Sequence, residues 1–425
     1  MNFHLLSDTG DGCGLMKRIQ DEGNECTVHI RDNNYWDSHV GILQHIKEPS
    51  KDAIIIVDTV GLGEEADKFR KKGFKVFGGS KFADKLEQDR DFGLDFMRNH
   101  GIKVPDTKQF YTFWDAIAWV EKQKGDDTYV FKPSGEDLPC RLTYCATDKD
   151  DLISYLRFVQ RYFSGRIDDF VLQTFVEGPI ISTEFWVGPS GFIRPANHTV
   201  EVKKFLNDDL GPSTGCQGNI VWMAEDDEIV ALLEGIEKDL VEEGYIGPID
   251  LNCILSEEGP RGLEWTPRFG LDAMPSLLSL ILKDVGGTIS DIVHGNTKTM
   301  DLYDAIAGGV RLTIPPYPIE PTNDVGKVLK EAPNQGVPIR DLEDDGVYFY
   351  EVMMQDGELV HSSGNGVIAV VSDCGEDPKE CLNYPYEILE GCRVPDKQYR
   401  TDLQEKLSEM TEEACEALDY VSAKR

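Results

Sequence analysis

Residues 245–274 read YIGPIDLNCILSEEGPRGLEWTPRFGLDAM, and the fold of the chain is decided here. Two apolar runs, at 249–255 and 263–265, flank a Ser-Glu-Glu-Gly-Pro segment, a pattern that predicts a β-hairpin. Asp250 interrupts the first run and Glu264 the second, so we expect them to lie roughly opposite each other. A carboxylate beside a buried sheet is costly unless something pairs with it. Mg²⁺ held by carboxylates and nucleotide phosphates is the most economical partner.

Arg268 follows the second predicted strand. Its planar guanidinium suits a carboxylate or phosphoryl oxygen. The competing interpretation is a surface hairpin with solvated acids and an arginine on its rim, because exposed charges of this kind are common and contribute little. The residues of the hairpin alone favour neither interpretation.

Size and composition indicate a globular protein of several structural units. The 425 residues are 40% hydrophobic, which is enough for two to four units, and they contain no low-complexity tract. No apolar run reaches membrane-spanning length and the first residues lack a basic region before an apolar core, so we expect no membrane segment. Ten cysteines without CxxC pairs indicate reduced thiols, and we expect a cytoplasmic protein.

The charge of the chain is strongly acidic. There are 43 basic and 77 acidic residues, which gives a net charge of −34. We do not expect the chain to bind duplex nucleic acid over a broad face, because the affinity of such binding comes from neutralising phosphates. The net charge does not exclude a small anionic ligand, because such a ligand needs only a local basic pocket.

The first hundred residues alternate apolar strands, glycine turns and helices. Residues 3–6 and 53–57 read as buried strands, which implies a parallel sheet with ligands at the carboxyl ends of its strands. The loop at 9–14 (TGDGCG) places glycines where a backbone approaches a phosphate at a helix N-terminus. Asp11 inside this loop would repel an anion, so a plain strand-to-helix turn is the alternative.

The pattern changes after residue 102. Residues 128–132 (TYVFK) predict a strand that ends at Lys132 before a glycine-containing loop; the lysine either contacts a phosphate or snorkels on an edge strand. The segment 211–218 (GPSTGCQG) predicts a loop that exposes several backbone N–H groups to a ligand. From about residue 305, further strands and a final helix indicate a separate unit.

In this order the segments resemble the glycinamide ribonucleotide synthetase (phosphoribosylamine–glycine ligase) family of ATP-grasp enzymes, and the similarity covers nearly all of the chain. Residues 171–178 (VLQTFVEG) are similar to the family segment whose backbone holds adenine. Residues 211–218 are similar to its GPNTGGMG loop, and 264–270 (EWTPRFG) to its EFNCRFG metal and substrate motif. Lys132 matches its nucleotide lysine, and Arg90 falls where the family has its other phosphate-binding lysine.

The resemblance implies the fold class, α/β, and a division into three domains. These are a parallel-sheet (pre-ATP-grasp) domain at 1–100, an ATP-grasp domain at 101–304 with a lid subdomain at about 120–180, and a small α+β domain at 305–425. It implies an ATP-dependent ligase that joins a small-molecule carboxylate to a small-molecule amine through an acyl phosphate. ATP and Mg²⁺ are the implied cofactors, and we expect a monomer or homodimer.

The resemblance also implies a set of site residues. Asp250 and Glu264 bind Mg²⁺, Arg268 takes the substrate carboxylate, and Lys203 joins it in the catalytic set, with a solvated Lys203–Lys204 pair as the alternative. The ATP contacts are Arg90, Lys132, Gln173, Thr174, Phe175, Val176, Glu177 and Glu184, and the substrate loop contains Gly211, Pro212, Ser213, Thr214 and Gly215.

The chain departs from the family mainly on the acceptor side. The opening GxGGREHAL of the family is replaced by TGDGCGL, and Thr266 stands where the family has Asn, which makes Asp250 the preferred second magnesium ligand. The family's GDPE after RFG is GLDA here. Ile180 stands where a ribose-binding Glu is expected, with Glu177 or Glu184 as substitutes.

Three hypotheses follow, in this order. The first is a ligase of this family with an altered acceptor site. The second is the phosphoribosylamine–glycine ligase of purine biosynthesis with a divergent N-terminal loop. The third is a non-catalytic nucleotide- or dinucleotide-binding protein.

Overall fold

The computed structural model describes residues 1–125, 127–134, 142–167, 169–319, 334–342 and 345–423. The loop expected directly after Lys132 lies mostly outside these ranges. None of the helices in the described ranges is both long and apolar enough to cross a bilayer.

The N-terminal unit is a five-stranded parallel sheet with helices between its strands. The strand order is β3-β2-β1-β4-β5, and every neighbouring pair is parallel, as predicted. The strands of the middle of this sheet are buried on both faces, which explains their continuous apolar sequence. Its elements are β1 (Asn2–Ser7), α1 (Cys13–Asp21), β2 (Glu25–Ile30), β3 (Gln44–His45), β4 (Ile54–Val57), α2 (Gly63–Lys71), β5 (Lys75–Phe77), α3 (Lys81–Gln88) and α4 (Arg90–Asn99).

A small antiparallel sheet occupies the region of the predicted lid subdomain, and it is called the lid sheet below. Its order is β6-β9-β7-β8, and its core is aromatic, with the rings of Phe113 and Phe170 stacked 4.6 Å apart. The sheet begins at Thr107, earlier than the predicted lid boundary at about 120, because β6 pairs with β9. Its elements are β6 (Thr107–Phe110), α5 (Phe113–Lys122), β7 (Tyr129–Ser134), β8 (Tyr144–Cys145), α6 (Lys149–Phe163) and β9 (Asp169–Thr174).

The largest element is an eight-stranded antiparallel sheet in the order β14-β13-β10-β11-β12-β15-β19-β16. Its first part contains β10 (Ile180–Gly188), β11 (Gly191–Lys204), β12 (Ser213–Met223), α7 (Glu228–Glu234), α8 (Glu237–Glu242), β13 (Gly247–Ser256), β14 (Gly259–Thr266), α9 (Ala273–Ser279) and α10 (Val285–His294). The C-terminal part contains β15 (Ile306–Thr313), β16 (Val347–Phe349), β17 (Val352–Gln355), β18 (Glu358–His361), β19 (Val367–Gly375), α11 (Asn383–Gly391) and α12 (Leu403–Ser422).

This sheet continues across the predicted boundary at residue 305. β15 pairs with β12 over Gly218↔Val310 to Val221↔Ala307. One hydrophobic core also contains residues of α3, of β13 and of α12. The mixed α/β fold class is confirmed, whereas the three domain ranges stay predictions, and residue 305 does not separate two sheets.

The two faces of this sheet differ in chemistry. Leu251, Cys253 and Leu255 point into the core, which α12 covers with Leu403 and Leu407. The alternate positions on β13 and on its neighbours β10 and β11 are polar, since successive side chains of a strand point to opposite faces. They are Ser182, Glu184, Asn197, Thr199, Glu201, Asp250 and Asn252.

Candidate active site

The predicted hairpin forms, and it places both carboxylates on the polar face of the large sheet. In the register of β13 and β14, Asp250 pairs with Thr266 and Glu264 pairs with Asn252. Glu264 is therefore offset by two residues from the position directly opposite Asp250. Residues offset in this way on one face stay within reach of long side chains. The expected facing pair is therefore a diagonal pair.

Asn252, which we did not predict as a site residue, connects this group. Its Nδ2 donates to Asp250 Oδ1 at 3.1 Å and to Thr266 Oγ1 at 3.4 Å, while its Oδ1 accepts from Ser182 Oγ at 2.9 Å. The signal for it was the alternation of the strand, because the residue two positions after Asp250 must share its face. Asn252 holds the orientation of the Asp250 carboxylate.

Glu184 lies directly opposite Asp250 on β10, and both are nearly buried, with 7% and 8% of their surface exposed. Burial raises the pKa of Glu184 to about 7, although the hydrogen bond that Trp186 Nε1 donates to it at 2.9 Å acts to lower this pKa. Burial, reinforced by the carboxylates of Glu184 and Glu201, raises the pKa of Asp250 well above its usual range. Crowded acids of this kind are stabilised by a nearby cation.

Lys132 and Arg90 form the opposite charge. Lys132 lies in β7 and faces the Glu264 carboxylate; burial lowers its pKa, and Arg90 lowers it further. Partial burial also lowers the pKa of Arg90, although the negative charge of Glu264 acts to raise it. Within the described ranges neither side chain has a hydrogen bond or an ion pair. Two neighbouring cations without partners, in a chain of net charge −34, mark a place for an anion.

Lys203 belongs to this site, whereas Lys204 faces the hairpin tip. The Nζ of Lys203 lies 3.6 Å from Glu201, and although burial lowers its pKa, the carboxylates of Glu201 and Glu264 raise it overall. Lys204 donates to Gly211 O at 3.5 Å. A cleft of about 400 Å³ opens beside both, lined also by Ile180, Asn252 and Lys406.

Arg268 is half-buried and paired with an unpredicted residue, Glu87 of α3. Its Nε and Nη2 donate to Glu87 Oε1 at 3.3 and 3.0 Å, and its Nη1 donates to Phe269 O at 3.0 Å. No local pattern could reveal this pair, because 181 residues separate the partners.

The hinge residues follow β9 at the edge of the lid. Gln173 is buried and donates from Nε2 to Thr107 Oγ1 at 3.3 Å, and the backbone N–H groups of Thr174 and Phe175 donate to lid carbonyls. Phe175 and Glu177 are exposed and Val176 is half-buried, so they face the cleft side or solvent. Glu184 lies beside Asp250 instead, which leaves Glu177 as the hinge-side candidate for the ribose.

The predicted substrate loop is a strand over most of its length. Gly211 and Pro212 lie in an exposed tip, and Ser213, Thr214 and Gly215 fall within the bounds of β12. Ser213 pairs with Lys204 and Gly218 with Val202, so the register of β11 and β12 skips residues 214–217. The exposure of backbone N–H groups to a ligand in the segment 211–218 stays a prediction.

The tip of this hairpin is held by the C-terminal helix region. Arg400 Nη1 and Lys406 Nζ bind the two oxygens of Asp209 at 3.0 and 2.7 Å, and Asn207 Nδ2 donates to Thr401 Oγ1 at 2.8 Å. Arg400 is buried, so this is a firm attachment rather than a surface contact.

The N-terminal glycine loop is already filled by the protein. Asp58 Oδ2 accepts from Gly12 N at 2.6 Å and from Ser7 Oγ at 2.7 Å, and Ser7 Oγ accepts from Gly10 N at 2.7 Å. Burial and the neighbouring Asp11 raise the pKa of Asp58 to about 7. The plain-turn alternative therefore holds, since a carboxylate occupies the position that a phosphate would take.

The donor set fits ATP and Mg²⁺. Among the described residues no three His, Cys, Asp or Glu side chains gather into a metal site by themselves. Mg²⁺ is usually held by one or two carboxylates together with substrate phosphates. Asp250 and Glu264 are the carboxylates that would hold such an ion, and the unpaired cations Lys132 and Arg90 would face the phosphates.

Known proteins are similar to the chain in sequence and in fold. No protein-family model matches the chain. The phosphoribosylamine–glycine ligase of Lactococcus lactis subsp. lactis is 28% identical over 355 residues, which cover 81% of this chain and 82% of the relative. The enzyme of the same name from Corynebacterium ammoniagenes is 26% identical over 359 residues, which cover 81% and 80%.

Two solved structures show the same fold. The phosphoribosylamine–glycine ligase of Thermotoga maritima superposes with a TM-score of 0.72 at 20% identity, over 95% of this chain and 100% of that one. The biotin carboxylase domain dimer of Hydrogenobacter thermophilus 2-oxoglutarate carboxylase, in complex with MgADP, ADP and bicarbonate, gives 0.64 at 14% identity over 99% of both chains. The chain shares the fold of these two enzymes, and 81% of its length is similar in sequence to phosphoribosylamine–glycine ligases.

Proposed function

We propose that the protein joins a carboxylate to an amine through an acyl phosphate, at the site between the lid and the polar face of the large sheet. The observation that carries the proposal is the pair of unpartnered cations, Lys132 and Arg90, facing Glu264 beside the buried Asp250. Phosphoryl transfer needs positioning and charge neutralisation more than covalent help.

Each of the candidate residues has one role in the proposed reaction. Lys132 and Arg90 bind the ATP phosphates, and the hinge from Gln173 to Glu177 lines the adenine side. Asp250 and Glu264 hold Mg²⁺, which neutralises charge on the phosphates. Arg268 binds the carboxylate that is phosphorylated.

The reaction has two steps. A carboxylate oxygen attacks the γ-phosphorus and ADP leaves, which gives the acyl phosphate. The amine nitrogen then attacks the carbonyl carbon, the bond from that carbon to the phosphate oxygen breaks, and the nitrogen loses a proton. Exclusion of water by the lid protects the intermediate from hydrolysis.

Glycine and phosphoribosylamine are the first substrates to test, because the relatives with the same span carry the name phosphoribosylamine–glycine ligase. This favours the second hypothesis over an altered acceptor site. The assay is ADP release with both compounds and with each alone. Release that requires both supports this pair; no stimulation by the pair excludes it.

A different acceptor amine is the second candidate. The observation that favours it is the glycine loop, where Asp58 already accepts from Gly12 N and Asp11 adds negative charge. A phosphorylated amine would find these donors occupied. Mass spectrometry of products from a screen of amines against amino acids would identify such an acceptor.

The catalytic assignment is tested on one hairpin. Glu264→Ala should abolish amide formation while the fold survives. Glu258→Ala, which removes an exposed acid paired with Arg261 at the turn of the same hairpin, should keep activity. Turnover near wild type in Glu264→Ala would refute the site. Dinucleotide binding without ATP binding would favour the third hypothesis, which the comparisons do not support.

A further inference from the structure

The turn between α3 and α4 carries two opposite charges toward the candidate site. Glu87 lies in the last turn of α3, and Arg90 is the first residue of α4. Asp89 between them caps α4, since its Oδ1 accepts from Phe92 N at 3.0 Å. One short capped turn therefore fixes both side chains relative to each other.

Glu87 determines how Arg268 is presented. A guanidinium has five N–H groups. Two of those of Arg268 donate to Glu87 Oε1 and one to Phe269 O, so two N–H groups have no partner in the part of the chain that the structure describes. Glu87 Oε2 is buried and likewise has no hydrogen bond there.

The orientation of this guanidinium matters for the reaction. An arginine side chain loses rotamer entropy when it is fixed, and its planar fork binds a carboxylate well only in the right plane. A carboxylate that is misplaced by about 1 Å from the phosphorus loses much of the benefit of proximity. A charge partner that fixes Arg268 before substrate arrives removes this cost from binding.

We propose that Glu87 is the positioning residue for Arg268: it fixes the guanidinium so that the two remaining N–H groups receive the substrate carboxylate next to the phosphate held by Arg90. This inference rests on the proposed function. The α3–α4 turn then sets the distance between the attacking carboxylate and the transferred phosphate, because it holds Glu87 and Arg90 three residues apart.

The test is a KM split in the ADP-release assay with glycine, phosphoribosylamine and ATP. Glu87→Gln keeps the shape of the side chain and removes its charge. We expect the KM for glycine to rise about tenfold or more while the KM for ATP stays within about twofold. Glu65→Gln is the matched control, because it breaks an exposed pair with Arg31 in the same unit and should change neither constant.

A double-mutant cycle separates this inference from the proposed function. In an Arg268→Lys background, which keeps the charge but lacks the planar fork, Glu87→Gln should raise the KM for glycine much less than it does in the wild type, since residues that act as a unit are not additive. If Arg268→Ala leaves turnover intact, the proposed function fails. If Arg268→Ala abolishes it but Glu87→Gln leaves the KM for glycine unchanged, or raises both KM values equally, the positioning role is overturned.

A measurement without substrate covers the case in which glycine is not turned over or Glu87→Gln does not fold. In ¹⁵N-arginine spectra the Nε–H signal of Arg268, assigned by its loss in Arg268→Lys, should be protected from solvent exchange in the wild type. It should lose that protection in Glu87→Asp, which keeps the charge but shortens the side chain by one methylene. An unchanged signal in Glu87→Asp overturns the inference.

Discussion

Two regions of this molecule carry the sequence marks of phosphate binding, and they differ in what the protein itself supplies. Lys132 in β7 and Arg90 at the start of α4 have no partner among the described residues. At the N-terminal glycine loop, Gly12 N–H is bound by Asp58 and Gly10 N–H by Ser7. A glycine loop is a ligand site only while its donors are unsatisfied, since most buried polar groups have a hydrogen-bond partner and a donor bound by the protein is not available to a ligand.

The largest effect is expected from removing the unpaired charge. Lys132→Met should lower kcat/KM for ATP roughly 10²- to 10³-fold, because a phosphate contact is lost at the reacting centre. The unfolding midpoint without ATP should stay equal or rise, because a half-buried cation beside Arg90 disappears. Steady-state kinetics and thermal unfolding measure both.

The control for this variant is Lys124→Met, an exposed lysine after α5. It should change neither property. A Lys132→Met protein that is strongly destabilised would show that the lysine has a structural partner, and the contrast between the two regions would disappear.

The next effect concerns the filled loop. The pKa of Asp58 is raised by burial from 3.8 to about 7, so the folded protein binds this proton more tightly than the unfolded chain. The protonated group stabilises the fold at low pH, and this stabilisation is lost as the pH rises toward about 7. Relative to Asp58→Asn, the wild type should therefore gain on the order of 3 kcal/mol in free energy of unfolding between pH 7 and pH 4.

Urea unfolding at several pH values measures this difference. Asp52→Asn, at an exposed position of the same unit, should show no such trend. If the difference between wild type and Asp58→Asn does not change with pH, the carboxylate is not buried in the loop, and the loop returns as a phosphate site.

The smallest effect is expected at the hairpin tip between β11 and β12. Asp209→Asn keeps a side chain that tolerates the positive φ of 55° but removes the charge that binds Arg400 and Lys406. We expect faster proteolysis within 205–212 and a fall of about threefold in kcat. Unchanged proteolysis would mean that the attachment does not hold the tip.

The features that depend on residues close together in the sequence, such as the hairpin and the strands of the parallel sheet, could be predicted. The two apolar runs at 249–255 and 263–265 around a turn predicted the hairpin with its two carboxylates, and the apolar strand at 53–57 predicted the parallel sheet. Lys132 was a candidate from its place in a predicted strand before a glycine-containing loop, whereas Arg90 was found only through the resemblance. Their proximity depends on the lid sheet meeting α4.

Long-range contacts could not be predicted in the same way. Glu87 reaches Arg268 across 181 residues, whereas the local sequence offers Arg90, three positions away, as its charge partner. The segment 213–218 has the glycine content of a loop, yet it begins a strand because Ser213 pairs with Lys204 and Gly218 with Val202. β15 pairs with β12 although Gly218 and Val310 lie far apart in the sequence.

That last pairing limits how the chain can be divided. A fragment that stops at residue 305 would expose the whole edge of β12, with a row of backbone donors and acceptors that β15 now satisfies. Such a fragment should self-associate rather than behave as a nucleotide-binding module. Among the described residues the lid sheet shares no strand with the large sheet, whereas β15 and β19 of the C-terminal third belong to it, so we expect any closing motion to be made by the lid against a floor that includes the C-terminal third.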